Sequence, residues 1–319
     1  MTRSLLANVG VVALSVMLLG GAVQLQAVRD RTYPPRADTQ EDAIYLRSGT
    51  TVRRFAGAFT AVAADVYWVR TIQYYGGTKR RLDAESHGVT SSTPSDASRA
   101  NEYALMYPLL DITTTLDPRF NIAYRFGAVF LAEAFPRGPD RPDLAIALLE
   151  KGLRATPDKW EYMEDIGFVH YWYEHDYRAA AASFEQAASV PGAPWWLRSL
   201  AATTLAQGGD RRSSRVMWEA IRQSSEIDWL RQDAERRLAQ LHALDDIDAL
   251  QKALDAFIAR AGRPPEDWAA LVRARVLRGV PLDPSRTAYT LSPEGRVGLS
   301  AASTLWPLPE EPQRTGTRP

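Results

Sequence analysis

The sequence predicts an all-α chain, an array of helical repeats with an N-terminal transmembrane helix and a small C-terminal β-hairpin cap, and three observations lead there. Apolar residues recur at three- and four-residue steps through most of the 319 residues. Small, aromatic and proline positions return at a fixed spacing, with Pro118 to Pro157 spanning 39 residues and Pro157 to Pro191 spanning 34. Strand-like alternation is confined to Ala288 to Leu291 and Arg296 to Leu299, split by Ser292-Pro293-Glu294-Gly295, which reads as one hairpin.

Composition narrows the function classes. Lys and Arg number 38 against 38 Asp and Glu, so a protein that neutralises nucleic-acid phosphates over a broad basic face is excluded, and no nucleic-acid partner is expected. Cysteine is absent, which removes disulfides, zinc ribbons, iron–sulfur clusters and thiol catalysis. Apolar residues at 45% with nine Trp, thirteen Tyr and nine Phe describe an ordered globular chain.

The N-terminus is directed at a membrane. From Leu5 to Val23 the strongly polar residues are Asn8 and Ser15, and about 19 residues at about 1.5 Å rise approach the ~30 Å hydrocarbon thickness. Residues 5–23 are thus the expected contact with a lipid bilayer, within an anchor over 1–27 followed by a linker over 28–49 containing Pro34-Pro35. Gly20-Gly21-Ala22 offers a cleavage site, so a removed signal peptide is the competing reading. Orientation has two readings as well. Arg29, Arg31 and Arg36 after the span favour a cytoplasmic domain on the positive-inside count, while the short tail carrying Arg3 reads as the start of an exported protein. The extracytoplasmic orientation is preferred.

A helical repeat domain is expected over 50–261. Phe55, Phe59, Val62, Val66, Val69 and Ile72 form an apolar stripe expected to pack within the array, with Gly76-Gly77 ending its helix. Residues 83–99, rich in Ser, Thr, Asp and Ala around Pro94, read as a mobile surface loop. Helices at 228–242 and 247–260 are expected to extend the array, with Asp245 or Asp246 capping the second. A capping segment with the hairpin follows at 262–306. The tail 307–319, with four prolines and no apolar period, reads as disordered.

The repeat is densest around Tyr171. Tyr177 follows it six residues on, then small Ala180, aromatic Phe184, small Ala187 and finally Pro191. Ala145, Leu149, Gly152 and Pro157 keep the same offsets upstream, as do Met106, Leu110, Thr113 and Pro118. Downstream, Leu205, Gly209, Ser214, Trp218 and Ile221 continue without a proline. Small residues let two antiparallel helices approach, a large one fills the gap, and proline stops the second helix. This pattern resembles the tetratricopeptide repeat over about 100 to 226. Pro136 to Pro142 enlarge one turn, Met106 stands where a small residue is usual, and Pro108 interrupts a second helix. The resemblance implies a stacked array, a right-handed α-α superhelix, whose concave surface holds an extended peptide or a helix of another protein.

A narrower resemblance is to bacterial single-span proteins with such repeats, carried by Ala64-Asp65-Val66-Tyr67-Trp68-Val69-Arg70 and Leu116-Asp117-Pro118-Arg119-Phe120. It brings no assigned activity; the expected location is the bacterial inner membrane with the repeat domain periplasmic, a cytoplasmic domain being the alternative. The segments Gly262-Arg263-Pro264-Pro265 to Trp268 and Gly279-Val280-Pro281-Leu282-Asp283-Pro284 are similar to those that cap pilin-like secretion proteins.

Catalytic chemistry is not expected. His170 and His175 are five apart, about 140° around a helix, which suits no shared metal, and no phosphate loop or nucleophile elbow occurs. No catalytic residue, cofactor or metal is predicted. The pairs Asp245-Asp246 and Glu310-Glu311 read as solvated charge. The expected function is a membrane-tethered scaffold or adaptor that binds a partner protein in the repeat groove during assembly of a cell-envelope complex. Tyr67, Arg70 and Tyr74 on one helical face, with Trp195-Trp196 after Pro194, are the candidate partner-binding residues. The alternative is a carbohydrate-binding module or enzyme stacking sugars on Trp160, Trp172, Trp195 and Trp196, which would need carboxylates about 5 to 10 Å apart.

Overall fold

The computed structural model describes residues 15, 17–21, 23–25, 28, 48–87 and 102–312, the side chains of 85–87 excepted. Two compact units divide the chain, Met1–Leu46 and Arg47–Pro319. In the first, the described residues are helical and exposed, among them Met17, Leu18, Leu19 and Val23. Most of the apolar run expected to span the bilayer lies outside the described residues. Among the described ones, no helix is long and apolar enough to cross a membrane.

The second unit is built mainly of helices: α1 (Gly49–Ala56), α2 (Thr60–His87), α3 (Met106–Leu116), α4 (Asn121–Ala132), α5 (Pro142–Ala155), α6 (Trp160–Val169), α7 (Tyr177–Ala188), α8 (Trp196–Gln207), α9 (Arg211–Ser224), α10 (Asp228–Ala261) and α11 (Trp268–Arg273). A 3-10 turn, Gly57–Phe59, joins α1 to α2. Two short strands, β1 (Thr290–Leu291) and β2 (Val297–Gly298), pair antiparallel with Thr290 opposite Gly298, at the hairpin the sequence marks. From α2 to α10, each helix packs on the next in the chain, and α3 with α5 and α4 with α6 also touch.

The repeated positions are the packing positions. Ala145, Leu149, Ala180, Phe184 and Ala187 are fully buried, and so are Met106, Leu110 and Thr113. Glycines opposite the large residues make the approach possible. A Cβ on Gly167 would lie 2.4 Å from the Phe184 ring, and one on Gly152 would lie 2.7 Å from the Tyr162 ring. Pro118, Pro157 and Pro191 fall two or three residues past the ends of α3, α5 and α7, where the missing N–H and the locked φ prevent another turn. Asp176 and Asp210 cap α7 and α9 through Ala179 N–H at 2.9 Å and Ser213 N–H at 3.1 Å. Pro108 does not interrupt a helix. It sits in the first turn of α3, where its absent N–H would have had no partner.

Several expectations are corrected. Helix α2 does not stop at Gly76-Gly77 but runs on to His87, because Tyr75, Thr78 and Leu82 continue its inner face across the glycines. Residues 83–87 of the expected loop are therefore helical, and 88–99 lie outside the described residues. The helices expected at 228–242 and 247–260 are one, α10. Asp245 and Asp246 cap nothing there: Asp245 pairs with Arg211 and Arg215, and Asp246 accepts from the Tyr289 hydroxyl at 2.9 Å, so both charges are met sideways while the helix continues. The expectation of a disordered tail is corrected over 307–312, which the fold holds. Gln240 donates to the Pro307 carbonyl at 2.7 Å, and Glu311 forms two 2.6 Å bonds with buried Arg211. Residues 313–319 lie outside the described residues.

The C-terminal segment caps the second half of α10. Trp268, Leu271, Tyr289, Leu299 and Leu305 share a core with Ala243 and Leu254 of that helix. Gln251 holds the hairpin at both edges, donating to the Gly295 carbonyl and accepting from Val297 N–H, each at 2.9 Å.

The apolar stripe of α1–α2 is reversed from expectation. Phe55, Phe59, Val62, Val66, Val69 and Ile72 face outward, from 80% exposed at Phe55 to 43% at Ile72. The inner face is a different set at the same spacing: Ala64, Trp68, Thr71, Tyr75, Thr78 and Leu82. Small Ala64, Thr71 and Thr78 let α3 approach, while Trp68 and Tyr75 stack on Phe130 at 6.3 and 4.3 Å. Valines two positions away then point to the opposite side.

Candidate functional site

The predicted partner-binding residues do not form one surface. Tyr67, Arg70 and Tyr74 are half-buried along α2. Tyr74 is engaged internally: its hydroxyl donates to the Glu102 carbonyl at 2.9 Å and accepts from Leu105 N–H at 3.4 Å, which fixes the entry to α3. Trp195 and Trp196 stand at the start of α8, and the main helix packing does not bring them to α2. The two tryptophans point apart. Trp196 packs edge-on against Trp160 at 6.5 Å, inside a cluster with Met163, Ala187 and Leu197. Trp195 is 49% exposed and meets Trp229, 53% exposed, edge-on at 4.9 Å.

An open cleft of about 250 Å³ lies between α7, α8 and α9. Met217, Ala220 and Ile221 of α9 give it an apolar floor. Glu185 and Ser189 from the end of α7, Arg198 of α8 and Ser224 of α9 complete its walls. Arg198 follows Trp195 by three residues, about one helical turn on. Its volume is below the roughly 300–1,000 Å³ of small-molecule sites, and its single acid and single base lie on different walls. Such a cleft fits one or two side chains of a docked segment.

Trp229 and the cleft floor were missed by the sequence reading. Trp229 lies at the start of α10 behind the capless turn after Ser225, and nothing in its own neighbourhood repeats. A signal for the floor does exist. Trp218 and Ile221 keep the repeat register and are buried, so Met217 and Ala220, one residue before each, must edge the same face of α9.

Elsewhere the polar groups are committed to structure. Arg125 grips Asp165 through two bonds of 2.5 and 2.8 Å, beside Glu164, whose carboxyl is pushed up by burial and by Asp165. Lys151 donates to Asp111, Thr114 and Thr115 within 2.7 to 2.9 Å, tying α5 to α3. His170 meets Glu174 at 2.6 Å in a π-turn, His170–Glu174, that ends α6 and leaves Trp172 exposed. His175 turns left-handed after it. Among the described residues, no group of three His, Asp or Glu is placed to hold a metal ion. Of the four tryptophans considered for sugar stacking, Trp160 and Trp196 pack on each other, and Trp172 and Trp195 are exposed.

Compared with models of known families, with curated proteins and with solved structures, the chain matches none.

Proposed function

We propose that this protein is a non-enzymatic docking scaffold: a tetratricopeptide-like right-handed superhelix, tethered to a membrane by residues 5–23, that holds a segment of a partner protein in the cleft between α7, α8 and α9. The observation that carries the reading is the open apolar cleft lined by Arg198, with Trp195 of the exposed Trp195–Trp229 pair one helical turn before that arginine in the chain. An aromatic pair with a small apolar floor is the usual composition of an interface hot spot. An apolar side chain of the partner enters over Met217 and Ile221, and an acidic neighbour pairs with Arg198. Tethering raises the effective concentration of a partner in the same envelope, so modest contacts suffice. A cell-envelope location for the complex follows from the same tether.

The test places a photo-crosslinking amino acid at Met217 of the full chain in its native membranes, with Glu150 on the outer side of α5 as control. A discrete adduct at 217 and none at 150, lost on Trp195→Ala or Arg198→Glu while the melting temperature holds, supports the reading. No adduct at 217, or one indifferent to both substitutions, ends it. Complementation by forms lacking residues 5–23, or carrying an unrelated span instead, tests the tether separately.

A further inference from the structure

The outward stripe of α1–α2 is the largest feature that the groove leaves unused. Six large apolar side chains, Phe55, Phe59, Val62, Val66, Val69 and Ile72, stand in water on the face opposite the packed one. On α4, Ile122, Phe126 and Val129 are exposed as well. Phe126 lies 6.4 Å from Phe130, the ring stacked on Trp68 and Tyr75 of the inner face of α2. A helix apolar on two opposite faces has one face too many for a surface helix.

Charge identifies what covers the second face. The chain is neutral overall, yet residues 48–87 carry six cations, Arg53, Arg54, Arg70, Lys79, Arg80 and Arg81, against three acids, Asp65, Asp83 and Glu85. They fall at both ends of the stripe and on its flank. Arg81 is paired with Glu102 and Arg53 donates to the Thr115 carbonyl, while Arg54 and Arg80 are exposed. An apolar strip bordered by arginine and lysine is the pattern of a helix lying in the interface of an anionic bilayer: aliphatic and aromatic side chains enter the acyl boundary, and cations meet headgroup phosphates. A second copy of this chain would bring six cations against six, which argues against self-association through this face. In the sequence, only residues 24–48 separate the apolar run 5–23 from α1.

We infer that the α1–α2 stripe rests on an anionic lipid surface, so that the folded unit lies against the bilayer along α2 rather than hanging from its linker. The inference shares the tethering half of the proposed function and is independent of the cleft. Phe59 and Val62 enter deepest, Val66 and Val69 follow, and Arg54 and Arg80 bind headgroups at the two ends.

The absence of cysteine makes the test clean, since each introduced thiol is unique. Phe59→Cys, Val66→Cys and Val69→Cys in the full chain are labelled with an environment-sensitive fluorophore, with Glu150→Cys as control. The chain is reconstituted in vesicles of phosphatidylcholine with phosphatidylglycerol, and of phosphatidylcholine alone. The expected result is blue-shifted emission and quenching by lipid-borne quenchers at 59, 66 and 69 in the anionic vesicles, and neither at 150. Arg54→Glu or Arg80→Glu should weaken the partition roughly five-fold or more per site. Val66→Glu with Val69→Glu, exposed positions whose replacement leaves helicity unchanged, should abolish quenching at 59. Labels that stay in water while the chain remains vesicle-bound overturn the inference and leave the tether standing; a chain that does not associate with vesicles at all overturns both. Shielding that follows protein concentration instead of lipid composition assigns the face to a protein partner and overturns it too.

Discussion

Helices α7 and α2 present apolar residues at the same three- and four-residue spacing, and they use them in opposite ways. In α7, Ala180, Phe184 and Ala187 are all buried, and the outer face is polar. In α2 there are two such series, and the one that is apolar at every step, Val62, Val66, Val69 and Ile72, is the exposed one. What selects the inner face is the small residue. Ala180 and Ala187 in α7, and Ala64, Thr71 and Thr78 in α2, let a neighbouring backbone come close, and aromatic rings fill the remaining space. Apolar periodicity marks a face that avoids water, whereas alternation of small and large marks a face that another helix of the same chain covers.

Truncating the large residue of the α7 face should have the greatest effect. Phe184→Ala opens a cavity among Gly167, Phe168, Ala180 and Leu205 and should cost about 3–5 kcal/mol in urea unfolding. Ala180→Trp overpacks the same contact and should cost about 1–3 kcal/mol; an unchanged melting temperature would mean that α7 packs through another face. Asp210→Ala removes the cap of α9 and should cost about 1 kcal/mol. The Ser213 backbone N–H, with Arg178 adding its hydrogen bond, holds the Asp210 carboxyl below the usual carboxylate range. Its contribution is therefore complete above the ordinary carboxylate pKa of about 4 and is lost as pH falls through the lower folded value, so a melting curve against pH should drop more steeply for the parent than for Asp210→Ala. Smallest of all is Val66→Asp on the outer face of α2, within about 0.5 kcal/mol by calorimetry of the detergent-solubilised chain. A loss comparable to that of Phe184→Ala would break the contrast between the two helices.

The helical class and the hairpin were legible because they depend on local signals: step spacing, Asp caps, prolines past helix ends and a Ser-Pro-Glu-Gly turn. The packing positions were legible too, since Ala180, Phe184 and Ala187 recur at offsets that only helix contact explains. What was illegible depends on partners distant in sequence. Gly76-Gly77 looks like a stop until Tyr75 is found stacked on Phe130, 55 residues on. Asp245-Asp246 looks like a cap until Arg211 and Tyr289 meet the charges. For the site, Trp195 was visible as an aromatic at a helix start, whereas its partner Trp229 arrives from another helix and the cleft floor from a third.

Arg211 has a consequence for how the molecule comes apart. Nearly every helix contact joins neighbours in the chain, and an assembly of that kind tends to unravel from whichever end is weaker, one segment at a time. Arg211 opposes this at the C-terminal side: from the first turn of α9 it binds Asp245 and Asp248 on α10 and Glu311, a hundred residues away. That bond turns a linear stack into a closed loop from α9 to residue 311. This closed stretch, about a third of the protein, must then exchange its amide hydrogens together, as one cooperative block, instead of fraying residue by residue from its end.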